Sequence, residues 1–102
     1  MKVSTVRRRA NVFVCTNRRD ARDPLGAGCG DRGEQVHDAL RSAIGARRAW
    51  SDVWLARTGC LGICPTRGCT VALTPSGAVI EEVEPDDAEA LLDVVLQGVR
   101  PR

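Results

Sequence analysis

The 102-residue chain has no tyrosine, one phenylalanine (Phe13), two tryptophans (Trp50 and Trp54) and one histidine (His37). So few aromatics leave the core to Val, Leu, Ile and Ala, a modest core that a bound group could help to hold. A single histidine excludes Rieske-type ligation, which takes two, and His37 reads as a solvated or half-buried helix residue. No run approaches the ~20 apolar residues that cross a bilayer, so no membrane partner is expected. The basic segment 1–10 is followed by no apolar stretch, so neither a secretory nor a twin-arginine signal is read and a cytoplasmic protein is expected. Also missing are a phosphate-binding loop, a dinucleotide fingerprint and a nucleophile with a paired histidine, so no enzyme activity is predicted.

Charge excludes less. Fifteen basic against thirteen acidic residues give +2, and eleven of the basic ones lie in the first half. The run Arg7-Arg8-Arg9 reads as a solvated terminus, and no nucleic-acid partner is expected. Composition is that of a folded chain, with 43% hydrophobic and 27% charged residues, and the length suits one domain.

What the sequence does contain is five cysteines, at 15, 29, 60, 64 and 69. In a reducing compartment such a number points to metal or redox chemistry rather than to structural disulfides. The β-branched run Asn11 to Cys15 predicts a buried strand ending on a cysteine. Residues 16–33, rich in glycine around Cys29, predict a long loop. Val36, Ala39, Leu40, Ala43 and Ile44 then mark one face of a helix from Glu34 to about Arg47. Asp52 to Arg57 reads as a second strand. Strand, helix and strand in succession predict a parallel unit with a right-handed crossover. Thr70–Thr74 and Ala78–Glu81 flank Pro75-Ser76-Gly77 and predict a hairpin. Pro85 opens a last helix whose apolar stripe is Ala88, Leu91, Leu92, Val95 and Leu96, closed by Gly98 and Pro101. Glu84 is a weak cap for it. The expected fold class is α/β, a four-stranded mixed sheet with two main helices in the order β-α-β-β-β-α.

The first four cysteines lie at strand ends or in glycine-rich loops, where backbone can wrap a cofactor and turn N–H groups can face negative sulfur. Cys29 precedes a helix whose positive end favours a thiolate. Arg18, Arg19, Arg22 and Arg32 flank Cys15 and Cys29 and suggest a positive ring that steers an acidic redox protein. Two further readings stay open at this point: a four-cysteine zinc module for protein interaction, and a thiol–disulfide protein using Cys60 and Cys64. Zinc sites usually pair closely spaced cysteines, and only one half of this chain offers such a pair. The thiol–disulfide reading lacks a C-x-x-C after the first strand and leaves Cys15 and Cys29 without a role.

The segments Val12-Phe13-Val14-Cys15-Thr16-Asn17-Arg18, Cys29-Gly30 with Gly33, and Thr58-Gly59-Cys60-Leu61-Gly62-Ile63-Cys64-Pro65 resemble the thioredoxin-like [2Fe–2S] ferredoxins. The chain is also similar to the small iron–sulfur subunit of NADH:quinone oxidoreductases and hydrogenases. The resemblance implies a thioredoxin-like fold, one [2Fe–2S] cluster held by Cys15, Cys29, Cys60 and Cys64, one-electron transfer between redox partner proteins, and often a homodimer. It places the ferredoxin domain at 11–98, between a flexible basic N-terminus (1–10) and a short tail (99–102). The chain departs from the pattern at Gly68-Cys69, where a Gly-Pro is common. Cys69 is therefore an extra thiol near the site, read as an inward-facing residue that opens a strand, with a substitute-ligand role as the second reading.

Overall fold

The structure, a computed structural model, describes residues 1–6, 8–20, 22–24, 26–63 and 65–97. Its elements are β1 (Ala10–Cys15), α1 (Gly30–Ala46), β2 (Val53–Thr58), β3 (Cys69–Thr74), β4 (Val79–Val83) and α2 (Ala88–Gln97), with a single 3-10 turn at Pro85–Asp87 before α2. The strands form one sheet in the order β2-β1-β3-β4. β1 runs parallel to β2 and antiparallel to β3, and β4 is antiparallel to β3. This is the expected mixed sheet and element order. The expected closing residues Gly98 and Pro101 lie outside the described residues, as does Arg7.

Side-chain alternation explains which face the helices cover. Val12 and Val14 of β1, Val53 of β2, and Val71 and Leu73 of β3 are buried, together with Val36, Leu40, Ala43 and Ile44 of α1 and Leu91, Leu92 and Val95 of α2. Branched aliphatics on this one face form the core, as the aromatic shortage required. The alternate residues Phe13, Ala56 and Ala72 are only half-buried, and Trp54 and Val79 are exposed. The second face of the sheet is thus apolar and, among the described residues, covered by no helix, with Arg8 lying over Trp54 at 5.8 Å from the ring centroid. Across the core, Arg47 at the end of α1 joins α2 by ion pairs of 2.5 Å to both Glu89 and Asp93. The weak cap at Glu84 is offset by Asp87, whose carboxylate accepts the Glu84 N–H at 2.9 Å. Among the described residues, no helix is long and apolar enough to cross a membrane.

Two boundaries differ from the sequence expectation. Helix α1 starts at Gly30, not near Glu34, so the loop after β1 ends at Cys29. The reason is packing: at Gly33 a Cβ would collide with the Cys15 carbonyl. The glycines that read as loop formers let the first turn of α1 lie against the end of β1.

His37, expected to be solvated or half-buried, is instead buried, because it lies beside Val36 on the face of α1 that packs on the sheet. Its Nδ1 has no hydrogen-bond partner among the described residues and lies 3.9 Å from Asp38. Burial, and then the nearby Arg57 charge, hold its pKa below the usual 6.5. Between the lowered folded pKa and about 6.5 the unfolded chain binds the extra proton, so stability falls as pH drops through this window. Urea midpoints taken from pH 7 to pH 5 are expected to fall, and the His37→Leu variant to fall less steeply. Equal slopes would place the acid sensitivity elsewhere.

Candidate functional site

The ends of β1 and β2 and the start of α1 meet where the cysteines are. β1 delivers Cys15 at its last position, opposite Thr58 of β2. The chain then turns back on itself: the Arg19 N–H donates to the Ala27 carbonyl at 2.9 Å and the Gly30 N–H to the Asn17 carbonyl at 3.0 Å. Gly28 makes this possible, because its φ is +81° and a Cβ there would strike the Asn17 carbonyl. The return brings Cys29 to the N-cap of α1.

Cys15 and Cys29 are both about 1% exposed, and their side chains are within hydrogen-bonding contact. Burial pushes the Cys29 thiol up, while a backbone hydrogen bond from Thr70 opposes that shift. Cys60 stands apart from this pair and is exposed. Its Sγ accepts from Arg19 Nη2 at 3.0 Å and from the Gly62 N–H at 3.3 Å. Both donors favour negative charge on sulfur. Gly59 and Gly62 have open space where a Cβ would stand. Cys64 lies outside the described residues. Among the described residues, no three His, Cys, Asp or Glu side chains converge as they would around a single metal ion.

Cys69 belongs to the core. It opens β3 opposite Val83, is fully buried, and has its pKa pushed up to about 12 by burial first and then by its neighbours Cys29 and Cys15. The inward-facing role expected for it agrees with this placement.

The four arginines near the cysteines do not form an open positive ring. Arg18 pairs with Asp31 at 2.5 Å and Arg22 with Asp20 at 3.2 Å. Arg32 donates to the carbonyls of Thr66 (2.7 Å), Gly28 (3.0 Å) and Pro65 (3.3 Å). Thr70, which the sequence reading did not single out, donates from Oγ1 to the Ile63 carbonyl at 2.9 Å. No residue pattern marks such a contact, because its acceptor is main chain.

The donor set is one that an iron–sulfur cluster would accept. A two-iron cluster is bound by four thiolates distributed over two irons, so it needs pairs of sulfurs rather than convergence on one point. Cys15 and Cys29 would supply one such pair, and the N–H groups aimed at the Cys29 and Cys60 sulfurs would suit anionic thiolate.

No protein-family model and no curated protein matches the chain. Solved structures do. The wild-type thioredoxin-like [2Fe–2S] ferredoxin from Aquifex aeolicus is 28% identical, with a TM-score of 0.76 over 90% of this chain and 89% of that one. A cysteine-to-serine variant of the Aquifex aeolicus protein is 26% identical, with a TM-score of 0.77 over 90% of this chain and 91% of that chain. In fold the chain is similar to the thioredoxin-like [2Fe–2S] ferredoxins over nine-tenths of its length.

Proposed function

We propose that the protein is a one-electron carrier in which Cys15, Cys29, Cys60 and Cys64 hold a [2Fe–2S] cluster and redox proteins are its partners. The observation that carries this reading is the pair of loops beside the β1–β2 ends: the first brings Cys15 and Cys29 together and sends Arg19 across to the Cys60 sulfur, and the second turns its own Gly62 N–H onto that sulfur. When bound, such a cluster takes up and releases one electron at a time. The chain's part is to hold sulfur, donate hydrogen bonds to it and keep Cys60 near the surface where a partner can approach. Electron transfer in the cytoplasm and a homodimer complete the proposal. The open sheet face, with Trp54 and Val79 about half exposed, offers a second copy an apolar seat.

Protein purified without oxygen is expected to be coloured and to contain two iron and two sulfide per chain, as a [2Fe–2S] cluster requires. A colourless product holding zinc would favour the zinc-module reading and overturn this one.

The Arg19 contact yields a potential shift. Reduction adds negative charge to the cluster sulfurs, so an N–H donor to Cys60 favours the reduced form. Losing a differential of about 1 kcal/mol from one charge-assisted bond corresponds to a decrease of roughly 40 mV for a one-electron couple. Arg19→Ala is expected to lower the midpoint potential by that order in a redox titration, and an unchanged potential would remove Arg19 from the site.

A further inference from the structure

Arg32 sits in the first turn of α1, half-buried, three residues after Cys29. Its two terminal nitrogens reach in two directions. Nη2 donates both to Gly28, the residue before Cys29, and to Pro65, the residue after Cys64, while Nη1 donates to Thr66. One planar fork therefore joins the two cysteine-bearing loops through main-chain carbonyls. Among the described residues no carboxylate pairs with Arg32, unlike Arg18 and Arg22. On the other side of Cys64, Thr70 Oγ1 holds the Ile63 carbonyl, and Thr70 also hydrogen-bonds Cys29 through its backbone.

We propose that Arg32 and Thr70 are positioning residues that lock the Cys60–Pro65 loop to the Cys15–Cys29 loop by hydrogen bonds to its carbonyls on both sides of Cys64. The consequence for a cluster rests on the ferredoxin reading above; the lock itself does not. Loop carbonyls carry no side-chain identity, so the lock tolerates sequence change in the loop but not in Arg32. A lysine keeps the charge but offers a single nitrogen in place of the two that the fork uses.

The test uses the full-length protein as purified. Hydrogen–deuterium exchange in peptides covering residues 60–68 is expected to rise on the order of tenfold in Arg32→Gln, Arg32→Lys and Thr70→Val, with exchange in β1 unchanged. In cluster-loaded protein, Arg32→Gln is expected to release iron to a chelator about 10- to 100-fold faster, the range seen when groups that orient ligands are removed. Wild-type exchange in Arg32→Gln would overturn the lock. Full rescue by Arg32→Lys would also overturn it, by showing that charge alone suffices. Wild-type protein without iron would refute the ferredoxin reading while the exchange data still decide the lock.

Discussion

Gly33→Ala is expected to lower the thermal midpoint by about 10 °C and to leave the protein poor in iron. In an exposed helix interior, alanine is better than glycine by about 1 kcal/mol, so propensity alone predicts a gain. At this position the new methyl would collide with the Cys15 carbonyl, a main-chain atom at the end of β1 that cannot swing aside as a flexible side chain could. Overpacking of this kind costs about 1–3 kcal/mol or more. A net loss of about 2 kcal/mol in a chain of this size corresponds to about 10 °C. The first turn of α1 must move away from β1 to relieve the clash, and Cys29 moves with it relative to Cys15. Gly45 in the same helix is the internal control. It is exposed, and its nearest neighbour to a new Cβ is Trp50 Nε1 at 3.8 Å, so Gly45→Ala is expected to gain up to about 1 kcal/mol. If both variants unfold at the same temperature, the close approach at Gly33 does not constrain the fold.

The same glycine marks where the sequence could and could not be read. Val12, Val14, Val71 and Leu73 alternate in or pair through the strands as their pattern predicts, and the stripe from Val36 to Ile44 faces the core. These signals are local and repeat along the chain. Gly30 and Gly33 carry the opposite local signal, because glycine disfavours helix; the close approach of β1 explains Gly33, and a φ of +37° explains Gly30 at the start of α1. The cysteine motifs indicated a cofactor, yet the contact between the Cys15 and Cys29 side chains depends on the turn through Gly28. Arginine count suggested a steering surface. Which carboxylate or carbonyl each guanidinium meets is set by tertiary placement, and in this fold two meet acids, one meets Cys60 and one meets loop carbonyls.

Cys60→Ala is expected to abolish cluster binding while Cys69→Ala keeps it, although both remove a thiol from the same neighbourhood. Cys60 is exposed and its sulfur accepts two N–H donors, so its loss removes the proposed ligand with little change to the packed core. Stability of the cluster-free Cys60→Ala protein should stay within about 0.5 kcal/mol of wild type, the usual range for surface substitutions. Cys69 has the reverse profile. It is fully buried at the start of β3 beside Cys29 and Cys15, and burial pushes its pKa up, which disfavours the thiolate. Removing its sulfur leaves a small cavity costing about 1 kcal/mol, with iron and sulfide per chain unchanged. Cys15→Ala and Cys29→Ala should both lose the cluster and destabilise the chain, since each sulfur is also part of the core. Cys64→Ala should match Cys60→Ala in iron content. The deciding measurement is iron and sulfide per folded chain across the five variants. A Cys69→Ala protein as empty as Cys60→Ala would transfer a ligand role to β3 and break the assignment of four loop cysteines.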